Sequence, residues 1–90
     1  MRMSSEYETL RWPTNLDRAA IVQRLVQVRE SALASGVAEL AARFAGVERM
    51  PAAQIGANVV AALNWVQDQP QHREFATQLE MVALNLKNLR

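Results

Sequence analysis

AAQIGANVVAALNWV, residues 52–66, runs for 15 residues without a charged side chain. Wound at about 100° per residue, it brings Ile55, Val59, Leu63 and Val66 onto one arc with Ala52, Gly56 and Val60, which reads as a core face. The opposite arc holds Gln54, Ala57, Asn58, Ala61, Asn64 and Trp65, amides and small residues in place of the usual charges. A helix this mild all round is expected to be covered on most of its circumference, and we read it as the central helix of an all-α fold.

Downstream stands QDQPQHRE, residues 67–74. The ring and missing N–H of Pro70 stop a helix and push Gln69 toward extended geometry, so the central helix spans about 51–67. Pro51 suits its first position, where a backbone N–H has no partner in any case. The next helix spans about 71–89, with Phe75, Leu79, Val82, Leu86 and Leu89 at spacings of four, three, four and three. Ala76, Gln78, Ala83 and Asn85 flank these positions instead of charge pairs, which favours packing into a bundle over a free-standing coiled coil.

Upstream, Thr14 with Asp17 three residues on reads as the N-cap of a helix over about 15–35. Its apolar positions form two arcs, Ile21, Leu25, Val28, Ala32 and Ala19, Val22, Val26, Leu33, with Arg18 and Arg29 between them. Two arcs predict two neighbours, either two helices of one bundle or one helix and a second subunit. The arginine stems then lie over apolar surface with their heads in water. Gly36 is the natural stop, leaving a short helix over 37–45 before Gly46 repeats the device. The alternative is one helix continuing to Ala45, because Val26, Leu33, Val37, Leu40 and Phe44 keep one seam through Gly36, and an interior glycine costs only about 1 kcal/mol. Residues 1–13 read as an N-terminal arm with Tyr7, Leu10 and Trp12 as anchors, Trp12 packing back onto the helices.

A chain of 90 residues supports one core. We therefore expect a single helical domain over 1–90, a small bundle of three to four helices (about 15–35, 37–45, 51–67 and 71–89). Its packing is up-down, or more orthogonal if Gly36 breaks the first helix. Without cysteine there is neither a disulfide framework nor a thiolate metal site, which points to a reducing compartment. The opening MRMSSEYETL lacks the apolar centre of a signal peptide, and the longest strictly apolar run, 59–63, is far short of a membrane span, so the expected location is cytoplasmic. Ten basic and nine acidic residues, spread along the chain, leave a net charge of +1 and no long-range field to gather a polyanion. Nine of the ten basic residues are arginine, and alanine is the commonest residue, a bias associated with GC-rich bacterial genomes.

The inventory for catalysis is thin: one histidine, no cysteine, no glycine-rich phosphate loop and no carboxylate–histidine pair with ligand spacing. His72 has Asp68 four residues before it, but Pro70 interrupts the helical face that would join them. No enzyme activity, cofactor, metal or small-molecule substrate is therefore expected. VAELAARFAGV, 37–47, followed by a second helix resembles the first half of a helix-turn-helix, with the degenerate motif covering about 37–66. Gln54 and Asn58 would then face adenine, with Arg43 and Arg49 at the flanks. Against that reading, the second helix opens without a basic residue and is apolar where it should read bases, so nucleic acid is not the expected partner.

Protein interaction is the function these residues favour. Trp65 lies off the core arc among Gln54, Asn58 and Ala61, the composition of an interaction hot spot, with Trp12 as the residue that would either join or cover it. Ala53, Ala57 and Ala61 add a ridge of small residues that lets another helix approach closely. The expectation is a small non-catalytic interaction or regulatory protein that binds a protein partner or itself as a homodimer, with DNA binding as the alternative.

Overall fold

The computed structural model describes residues 13–89. All regular structure among them is helical: α1 (Arg18–Ala34), α2 (Ala38–Arg43), α3 (Ala52–Gln67) and α4 (Arg73–Leu84), with 3₁₀ turns at Val47–Arg49, Pro70–His72 and Leu86–Leu89. Trp12 and the rest of the expected arm before Pro13 lie outside the described residues.

Asp17, not Thr14, caps α1. Its carboxylate accepts the N–H of Ala20 at 2.9 Å, so the helix starts three residues later than the Thr14 reading implies. An anion at this end also meets the positive pole of the helix, which the Thr14 hydroxyl does not exploit. Ile21, Leu25, Val28 and Ala32 are buried as expected. The second arc is no continuous seam: Val22 and Val26 are half-buried, Ala19 is exposed, and Leu33 keeps 57% of its surface in solvent.

Gly36 breaks the chain, which overturns the continuous helix to Ala45. Its φ of +75° lies in the left-handed region, and two bonds close the end of α1: Val37 N–H to the Ala32 carbonyl at 2.8 Å and Gly36 N–H to Leu33 at 3.2 Å. This is the paired closure that a C-terminal glycine permits. The reversal lets buried Val37, Leu40 and Phe44 pack back over α1. Gly46, at φ +74°, turns the chain again into the 3₁₀ turn before α3.

Two arginines of α1 record the direction of the return. Arg29 donates to the Phe44 carbonyl at 3.2 Å and Arg18 donates to that of Met50 at 2.6 Å. Residues 38–50 thus run back along α1, and α3 starts beside the first turn of α1 and runs parallel to it. The Pro70 turn sends α4 back antiparallel to α3, until Asn85 reaches Leu16 at 3.0 Å. Each helix packs on the one before it and α4 packs on α1, so the four helices close into a ring. Ile21, Leu25, Leu40, Phe44, Ile55, Val59, Leu79 and Val82 fill its axis with no exposed surface.

Within α3 the core line is Ile55, Val59, Ala62 and Val66. Ala62 takes the place the wheel gave Leu63, which is only half-buried, and Val60 is 51% exposed rather than internal. Bulk alone drew the arc one position too far round. Between two close neighbours the small residue faces the axis and the large one lies along the flank.

The last helix is also shorter than expected. Residues 70–72 form a 3₁₀ turn, α4 proper begins at Arg73 and ends at Leu84, and 86–89 continue as a second 3₁₀ turn. Phe75, Leu79, Val82 and Leu89 are buried and Leu86 is half-buried, so the heptad positions face inward through the change of winding. The change falls at Asn85, the C-cap residue of α4, whose carboxamide also reaches beyond its own helix. Oδ1 accepts the Leu16 N–H at 3.0 Å, while Nδ2 donates to the carbonyls of Pro13 and Met81, each at 2.9 Å. Asn88 adds a donation to the Leu16 carbonyl at 2.8 Å.

Candidate interaction surface

Of the four residues expected to bind a partner, three are described, all of them on α3. Trp12 is outside the described residues. Gln54, in the first turn of α3, is exposed, and Trp65, in its last turn, is half-buried. Eleven residues at about 1.5 Å each separate the two by roughly 16 Å along the helix. Asn58 lies between them and is committed internally: Nδ2 donates to the Arg43 carbonyl at 2.9 Å and contacts the Met50 sulfur at 3.5 Å, tying α3 to the end of α2.

Trp65 has its own cover. The ring of His72 stacks on it with centroids 6.0 Å apart and planes 15° from parallel, and His72 in turn meets Phe75 at 6.2 Å and 58°. The three rings fill the corner where α3 hands over to α4. No hydrogen bond or ion pair joins His72 to Asp68, which instead ends α3 as its C-cap residue. Among the described residues no group of three or more histidine, aspartate or glutamate side chains is placed to hold a metal ion.

The charged groups that do cluster are structural in their contacts. Arg29 grips both carboxylate oxygens of Glu48, at 3.0 and 2.9 Å, with only 17% of its side chain exposed. It is therefore an ion-paired clamp on the 44–48 segment rather than a side chain reaching for water. Those hydrogen bonds hold the Glu48 carboxyl down at about 2, and the same carboxylate raises the Arg29 guanidinium above its ordinary value. Arg43 pairs with Glu39 at 3.0 Å one turn earlier. A groove of about 410 Å³ separates the last turns of α1 from the first turns of α4, with Gln27, Ser31, Ser35 and Gln78 around Val28 and Phe75. Among the described residues Glu74 is its only ionisable lining residue, so they offer neither an acid–base pair nor a set of ligands there.

A further surface is the outer face of α3. Ala53, Ala57, Val60, Asn64 and Gln67 are all exposed, at spacings of four, three, four and three, and none of the 16 residues of α3 is charged. Half-buried Gly56, Ala61 and Leu63 border this stripe. Of the residues singled out in sequence, Gln54 lies at its edge, and Ala53 and Ala57 of the alanine ridge lie within it. The sequence wheel sets Ala57 and Asn64 on the mild arc but Val60 on the core arc, and that placing of Val60 hides the heptad spacing of 53, 57, 60, 64 and 67. Comparison of the chain with protein-family models, curated proteins and solved structures finds no match.

Proposed function

We propose that this protein is a non-catalytic helical interaction module, working in the cytoplasm, and that the outer face of α3 is its binding surface. One observation carries the reading: a solvent-exposed helix face with Val60 at its centre and no charge along its length, in a chain with ten basic and nine acidic residues. Solvated helix faces ordinarily carry charge, and an uncharged one with an exposed valine gains free energy when another apolar surface covers it. The small side chains of Ala53 and Ala57 allow a partner helix to come close. DNA binding draws less support, because Asn58 is spent on the Arg43 carbonyl and Arg43 on Glu39.

The test is photo-cross-linking in cells with a benzophenone amino acid at position 60, compared with the same group at exposed Gln23 on α1. Discrete protein adducts from position 60 that position 23 does not give are the expected result. Equal, diffuse labelling from both positions would refute the surface.

A further inference from the structure

The groove between α1 and α4 joins two distant stretches of chain, 27–35 and 74–78, and we propose that it binds a small organic cation, a primary ammonium on an aliphatic stem. Its volume of about 410 Å³ falls within the range of about 300–1,000 Å³ common to pockets that hold small molecules. The lining narrows the class. Glu74 supplies a carboxylate, and among the described lining residues none is basic, so an anion is repelled. A single carboxylate amid hydroxyls and carboxamides is a poor set for a calcium ion, which takes about six to eight oxygens. A wholly apolar molecule would strip water from Ser31, Ser35 and Gln78 and return no hydrogen bond.

An alkylammonium meets each part of this wall. Its head carries three N–H donors and no acceptor, and the Glu74 carboxylate and the hydroxyls of Ser31 and Ser35 are acceptors. The two serines stand one turn apart at the carboxyl end of α1, the negative pole of that helix, whose last turn holds no basic residue. A cation bound there supplies the charge complement that α1 lacks. The stem lies over Val28 and Phe75, which show the groove only an edge, 3% of each being exposed. So thin a floor limits the apolar gain, and charge sets the selectivity. The nearest arginines on these helices leave the head its place. Arg73 lines a separate hollow with Val66 and Gln67. Arg24 lies one turn nearer the start of α1, on the face of Gln27 and Val28, which directs the ammonium to the Ser35 end.

The test is a titration of the ¹⁵N-labelled full chain with n-pentylamine at pH 7 and constant ionic strength, followed by amide NMR. The expected result is a saturable shift confined to the backbone amides of Ser31, Ser35 and Phe75 and the side-chain amides of Gln27 and Gln78. Pentanol, which lacks the charge, and pentanoate, which reverses it, should leave these signals in place. Glu74→Gln is expected to weaken pentylamine binding at least about threefold, the scale of an exposed charge pair. Glu80→Gln makes the same change in net charge on the same helix, outside the groove, and should keep the affinity within about twofold. Shifts that never saturate, pentanol or pentanoate moving the same signals, or equal weakening by the two substitutions would each overturn the proposal.

Discussion

Asn85 accepts the backbone N–H of Leu16 at 3.0 Å from a position with no exposed surface, joining two residues 69 apart in sequence. With its two donations to Pro13 and Met81, the carboxamide has a partner on each of its polar atoms, which is the condition for burying it without penalty.

Replacing Asn85 therefore strands groups at both ends of the ring. Asn85→Leu leaves one N–H and two carbonyls without their partner, and we expect a loss of about 2–4 kcal/mol in urea unfolding. Asn88→Ala should cost less, about 1 kcal/mol, because Asn88 is half-buried and water can replace it. Equal losses would show that burial of Asn85 is not what makes it costly to remove.

Folding lowers the Glu48 carboxyl from 4.5 to about 2, so the folded chain favours the ionised form. This contribution is complete above about pH 4.5 and fades as pH falls toward 2, where the folded chain must take up a proton the unfolded chain already holds. Urea midpoints measured across that window should fall less steeply for Glu48→Gln than for the parent. Added salt should shrink the difference, since half of the Glu48 side chain is exposed.

On α3 the assignment of faces can be read from three alanine substitutions. Ile55→Ala, at a site with no exposed surface, is expected to cost about 2–5 kcal/mol. Leu63→Ala should cost less than this because Leu63 flanks the core. Asn58→Ala should be worse than neutral, by about 0.5–1.5 kcal/mol, through its bond to the Arg43 carbonyl. A Leu63 loss matching that of Ile55 would restore the arc drawn from the sequence.

Glycines give opposite signs. A Cβ at Gly36 or Gly56 would meet nothing within 4 Å, so backbone conformation alone decides the outcome. At Gly36, φ +75° makes alanine strained, with an expected cost of about 1 kcal/mol. Gly56 sits inside α3, where alanine should raise stability by about 0.5–1 kcal/mol. Thermal unfolding of both variants checks the pair.

Most of the bundle is legible in the chain because periodicity and punctuation act locally. The inward line of α1, the glycine stops at 36 and 46 and the proline break at 70 are each determined within a few residues. What escaped depends on distant partners. Asn85 looks like an ordinary flanking amide until Pro13 and Leu16 arrive, and Arg29 looks like a solvated side chain until the chain returns with Glu48. The outer stripe of α3 is legible only in part for a related reason: Val60 and Ala62 differ in exposure through the placement of α2 and α4, which no wheel contains. The charge-free character of 52–66 was plain from the start; which of its sides is free became plain only with its neighbours in place.

The ring has a consequence for how this chain can be strung. Since α4 closes against α1, Leu16 and Asn88 are hydrogen-bonded neighbours, and Pro13 and Asn85 likewise. A short linker from residue 89 to residue 13, with a new opening beside exposed Asp68, would thread the helices in the order α4, α1, α2, α3 and keep every packing neighbour. In that sense the bundle is a closed loop with a movable cut, and its architecture belongs to the cycle of contacts rather than to the point where the polypeptide happens to be open.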